Sequence, residues 1–235
     1  MRKALIFLLI LTSSNGVYSQ TAKEYSARGD IQLDKNDFRG ALVNFTKAIE
    51  LNPRSAASYS GRGLAKFSLD DYIGAIADLT KSIELNPNIS SSYSSRGLSK
   101  YFLDDYRGAI TDLTKAIELN SNSDLDYQVR GKAKHKLKDH LGAIADFNTA
   151  IELNPKNYNY YIERALTKGY LGDTRGALAD FNKVIELDPK NAKTYFNRGI
   201  AKLQLGDRNG ACLDWSKAGE LGMADAYDLI RDNCK

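Results

Sequence analysis

A period of 34 residues runs from Ala22 to the closing segment of this chain, and it limits the fold more than any other feature. Gly29, Gly63, Gly97, Gly131, Ala165 and Gly199 stand 34 apart. The pair Gly-Ala returns at the same interval at Gly40-Ala41, Gly74-Ala75, Gly108-Ala109, Gly142-Ala143, Gly176-Ala177 and Gly210-Ala211. Ile-Glu-Leu ends the units from Ile49–Leu51 to Ile185–Leu187, and prolines follow at Pro53, Pro87, Pro155 and Pro189. A single mixed core has no use for such regularity. An array of small units stacked in line requires it.

Each unit reads as two helices. In the second, Tyr59, Gly63 and Phe67 recur at helical spacing between Ala56 and Leu69. Asp71 can then cap a second helix. Its apolar face carries Ala75, Leu79, Ser82 and Ile83, and Asn86-Pro87 ends it. No segment alternates with period two, so strands have no foothold. Gly63 and Ala75 lack bulk, which lets two helix axes approach, with Tyr59 and Leu79 filling the space alongside. Asp37, Asp71, Asp105, Asp139, Asp173 and Asp207 stand at the turn between the helices, where a carboxylate accepts from free N–H groups. The pairs Asp70-Asp71 and Asp104-Asp105 have no oxygen-rich loop behind them, so capping is expected there, not calcium.

The period, the tyrosine four places before glycine, the recurring alanine with Leu79 four residues on, and the closing proline together resemble the tetratricopeptide repeat. Six units cover 22–55, 56–89, 90–123, 124–157, 158–191 and 192–225, followed by a C-terminal capping helix at 226–235. The resemblance implies an all-α, right-handed superhelical solenoid whose first helices line a concave surface. One unit cannot bury its own apolar face, so stability comes from neighbours and the ends need caps. On that reading the groove candidates are Ser60, Leu64 and Phe67; Ser94, Leu98 and Tyr101; Gln128, Lys132 and His135; Ile162, Leu166 and Tyr170; and Phe196 and Ile200. The family's carboxylate clamp for chaperone tails carries an asparagine after the repeat glycine. Here that place holds Asp30, Leu64, Leu98, Lys132, Leu166 and Ile200, so this use is not expected.

Arginine is the residue least at home in a packed helix, yet it recurs at Arg28, Arg62, Arg96, Arg130, Arg164 and Arg198. Sixteen residues after the last five stand Asp78, Asp112, Asp146, Asp180 and Asp214, and after the first stands Asn44. One turn beyond each arginine comes Gln32, Lys66, Lys100, Lys134, Lys168 or Lys202. The fixed offset favours repeated Arg–Asp pairs that hold the stacking register over a basic stripe for an anionic ligand.

The two ends of the chain read differently from the array. Arg2 and Lys3 precede the apolar run Ala4–Leu11, and small residues then lead to expected cleavage between Ser19 and Gln20. Residues 1–19 therefore read as a secretory signal, too short in its apolar part for a spanning helix. In the closing segment Ala226, Leu229 and Ile230 are placed to face the array. Cys212 and Cys234 lie almost symmetrically about Gly222-Met223, which puts them side by side in a hairpin. Export permits a disulfide there, contributing about 3 kcal/mol.

Chemistry-bearing groups are sparse. With 33 basic and 29 acidic residues the balance gives nucleic acid no support. His135 and His140 lie in one repeat only, without further zinc ligands at suitable spacing, and read as a local surface substitution. No nucleophile–base motif or phosphate-cradling loop is present. Tyr158 and Tyr160, beside Tyr161, are read either as packing at a repeat junction or as a partner contact. The expectation is a non-enzymatic, cofactor-free protein-interaction scaffold of the cell envelope or extracellular space, with a protein or peptide partner and no membrane span after signal removal. The alternative is a structural or glycan-associated envelope component.

Overall fold

In the computed structural model, residues 21–234 are described. The expected signal segment and its cleavage point, Ser19 and Gln20, lie outside them. The chain divides into two compact units, the first ending at Ser121 and the second starting at Asn122. The first contains α1 (21–34), α2 (Phe38–Leu51), α3 (Ala56–Ser68), α4 (Tyr72–Leu85), α5 (Ser90–Phe102) and α6 (Tyr106–Leu119). The second contains α7 (Asp124–Lys136), α8 (His140–Leu153), α9 (Tyr158–Tyr170), α10 (Thr174–Leu187), α11 (Ala192–Gln204), α12 (Arg208–Glu220) and α13 (Asp225–Asn233). No strand occurs among the described residues.

Every 34-residue unit is thus one helical hairpin, and the caps explain where its second helix begins. Asp37, Asp71, Asp105, Asp139, Asp173 and Asp207 each accept from the N–H three residues on, at 2.8–3.0 Å. These bonds satisfy donors that no helical carbonyl can reach. Just before each cap one residue takes a left-handed backbone: Asn36, Asp70, Asp104, Lys138, Gly172 and Gly206, with φ between 59° and 85°. Asparagine, aspartate and glycine tolerate that conformation. Lys138 gains nothing from it.

Packing between the arms follows from the small residues. A Cβ on Gly63 would fall 2.7 Å from Leu79 Cγ, and one on Gly199 would fall 2.5 Å from Trp215 Nε1. Glycine therefore lets the opposite arm seat a large side chain, and Leu79, Phe45 and Trp215 are fully buried there. Within the first unit α2 stacks on α3 and α4 on α5; within the second, α8 stacks on α9 and α10 on α11. The last hairpin is closed by α13, whose Ala226 is buried with Ala211, Trp215 and Ala218 while Leu229 and Ile230 pack against them.

Candidate functional site

The arginines turn inward. Arg62, Arg96, Arg130, Arg164 and Arg198 each donate Nε and Nη2 to both carboxylate oxygens of the aspartate sixteen residues on, at 2.5–3.0 Å. The lysine one turn beyond reaches the same carboxylate at 2.8 Å in all five repeats. Asp78, Asp112, Asp146, Asp180 and Asp214 are buried. A buried carboxylate needs partners for its lone pairs, and two cations per aspartate provide them. Burial pushes the Asp78 carboxyl up, but the hydrogen bonds and charges of Arg62 and Lys66 more than offset this and hold it below the usual carboxylate range.

The remaining guanidinium nitrogen reaches into the preceding repeat. Nη1 of Arg62, Arg96, Arg164 and Arg198 donates to Thr46, Thr80, Asn148 and Asn182 at 2.6–3.4 Å. One side chain therefore touches the second helices of two successive units. That is the physical basis for a register role, and these donors are spent within the scaffold. Spacing alone exposed the Arg–Asp pair. The lysine's share was missed, although its own fixed offset of twelve residues to the aspartate carried the signal.

The first repeat departs in a coordinated way. Gln32 replaces the lysine and Asn44 the aspartate, and both changes remove charge. Asn44 donates to Gln32 Oε1 at 2.5 Å and to Gly40 O at 3.2 Å, so its hydrogen bonding runs to Gln32 and not to Arg28 as the offset implied. The Arg28 guanidinium lies over the Tyr25 ring at 5.5 Å.

Side chains on the first helix of each hairpin remain outside the core at the groove positions. Ser60, Phe67, Ser94, Leu98, Tyr101, Gln128, Lys132, His135, Ile162, Phe196 and Ile200 are half-buried, and Leu64 and Leu166 are exposed. Tyr170 is 72% exposed. Rings gather at one register. Phe67 lies 5.6 Å from Tyr72 and 5.8 Å from Phe102, and Tyr101 lies 5.5 Å from Tyr106. In the second unit His135 lies 4.8 Å from His140 and 5.0 Å from Tyr170. The two histidines therefore sit half-buried in a ring cluster with the exposed Tyr170. Burial, followed by the neighbouring His140, lowers the pKa of His135.

Tyr160 is buried and donates to Asp124 at 2.8 Å, so the junction-packing reading applies to it. Its hydroxyl is pushed up to about 12 by burial and by that carboxylate. A cavity of about 230 Å³ opens between α9, α10 and α11 beside Gly169, Thr174 and Gln204. At the C-terminal end Cys212 and Cys234 form a disulfide with their Cα atoms 5.8 Å apart, tying α13 to α12. No cluster of three or more His, Cys, Asp or Glu residues suited to a metal occurs among the described residues.

This architecture agrees with known proteins. Tetratricopeptide-repeat profiles match residues 26–88, 90–123 and 127–157, and a TPR-repeat profile matches 170–206. No curated protein sequence matches significantly. Among solved structures the chain is similar to YrrB, described as a TPR protein with an unusual peptide-binding site. The identity is 24%, over 80% of this chain and 97% of that one, with a TM-score of 0.72. It is similar to MamA at 25% identity, over 70% and 96% of the two chains, with a TM-score of 0.66. Pseudomonas aeruginosa pilF matches at 16% identity over 92% and 98%, with a TM-score of 0.76.

Proposed function

The chain belongs to the tetratricopeptide-repeat family, and from that premise we propose that it is an exported, non-enzymatic scaffold gripping a peptide or partner protein on the first helices of its repeats. The fold itself supports a protein–protein interaction scaffold. The observation that carries the finer reading is the set of apolar side chains that hairpin packing leaves outside the core at one recurring position. Leu64, Leu98 and Leu166 follow the repeat glycine or alanine and stay accessible while their neighbours Ala65, Ser99 and Thr167 are buried. Protein interfaces are built from such apolar anchors ringed by polar groups.

Export is supported by the segment at 1–19 and by the Cys212–Cys234 disulfide, which persists in an oxidising compartment. No helix among the described residues is long and apolar enough to cross a membrane.

Affinity capture on the full chain tests the reading. The bait is compared with a Leu64→Ser, Leu98→Ser, Leu166→Ser variant of equal melting temperature, using fractionated extract of the source cells. A stoichiometric protein partner lost with the variant is the expected result. A partner retained equally by both baits, or binding to wall polysaccharide with no protein partner, overturns it.

A further inference from the structure

The ring clusters of the second and fourth repeats and the cavity in the fifth occupy one register of the 34-residue ruler. Where the second repeat meets the third, three rings gather: Phe67 at the end of α3, Tyr72 at the start of α4 and Phe102 at the end of α5, with centroids 5.1–5.8 Å apart. In the fourth, His135, His140 and Tyr170 meet at 4.8–5.7 Å. Counting 34 onward from those three arrives at Gly169, Thr174 and Gln204. All three ring positions have lost their rings together, and all three line the 230 Å³ cavity. A Cβ built on Gly169 meets nothing within 4 Å.

We infer that this vacant slot is the acceptor for one aromatic side chain, phenylalanine or tyrosine, carried by a peptide or protein partner. The inference rests on the scaffold reading and names where on the second unit the partner would anchor. The volume lies below the roughly 300–1,000 Å³ of pockets that enclose drug-sized molecules, so it suits a single side chain. Its walls are apolar where a ring would sit, with Phe181, Ile200 and the exposed Tyr170, and polar at Thr174 and Gln204. Thr174 Oγ1 lies 3.4 Å from Gln204 Oε1, which leaves the Gln204 amide N–H groups to meet a tyrosine hydroxyl or a backbone carbonyl. The filling chemistry is shown by the protein itself, which packs rings into the same space twice. Buried aromatic anchors carry much of the energy of protein interfaces.

The full chain, labelled with nitrogen-15, is titrated with N-acetyl-phenylalaninamide, N-acetyl-alaninamide and methyl glucoside while amide shifts of residues 165–204 are followed. The phenylalanine derivative should give saturable shifts there, and the alanine derivative should bind about tenfold to a hundredfold more weakly, as loss of the ring predicts. Gly169→Phe, which restores the residue of the second repeat, should abolish those shifts without lowering the melting temperature. Should that variant fail to fold, Gln204→Phe makes the same test from α11. Absence of saturable shifts, their survival in the filled variant, or equal binding of the glucoside overturns the inference. A protein partner captured equally by wild type and Gly169→Phe overturns the slot while leaving the scaffold reading intact.

Discussion

Asp78→Asn keeps the shape of a buried side chain and removes the charge that two cations converge on. Arg62 and Lys66 would then face an amide that can accept from them but cannot neutralise them. Removing one partner of a buried ion pair costs about 3–5 kcal/mol. Here the side chains of Arg62 and Lys66 retain 18% and 22% exposure and can partly rehydrate. A loss of about 2–3 kcal/mol is therefore expected, or roughly 5–10 °C in melting temperature at this chain length. Adding Lys66→Gln copies the solution of the first repeat, where Gln32 and Asn44 bond to each other, and should recover at least half of that loss. The assay is thermal and urea unfolding of wild type, both single variants and the double variant, analysed as a double-mutant cycle. The acid limb gives a second readout. Asp78 has a depressed pKa, so its contribution is fully present above the unfolded value of about 3.9 and is lost as pH falls through the folded value. The gap between wild type and Asp78→Asn should therefore narrow in that acid range. Additive single effects, or an Asp78→Asn loss below about 0.5 kcal/mol, would refute the ladder as a coupled charge set.

Three further outcomes are expected. Lys138→Gly relieves a left-handed residue with φ of 66° at a place where the fifth and sixth repeats already use glycine, and should stabilise by about 0.5–1 kcal/mol in urea unfolding. Reducing Cys212–Cys234 should speed hydrogen exchange in α13 while leaving the first unit unchanged, since the bond ties only α13 to α12. Burial and His140 depress the pKa of His135, with Lys136 adding to the shift and Glu163 opposing it, so the unfolded chain binds the proton more readily. Stability should therefore fall as pH drops below about 6.5, and His135→Phe should flatten the melting temperature between pH 7 and 5.

The periodic parts of this protein were legible because repetition multiplies weak signals. A glycine and an alanine at fixed offsets, six times over, announce helical hairpins whatever the propensity of any one segment. Asp37, Asp71 and their successors could be read as caps because capping is local chemistry between residues three apart. The Arg–Asp offset was also readable, being a constant distance along the chain. The convergence of Lys66 and Arg62 on one carboxylate was harder to read, since spacing shows which residues share a face but not which atom they meet on.

Residues that break the pattern behaved differently. His135 read as a local surface substitution, Gln32 and Asn44 stood only as departures at the Lys and Asp offsets, and Gly169 carried no reading at all. Each gained meaning only when side chains from two or three helices were brought together: a vacant slot beside Thr174 and Gln204, a ring cluster with His140 and Tyr170, a neutral hydrogen-bonded pair. The two-helix unit, its caps and the number of its copies could be read along the chain, because those depend on contacts within one period. Which positions are filled, which are empty and where charge is matched emerged from the packed helices, because those depend on volumes and distances between helices that no spacing along the chain records.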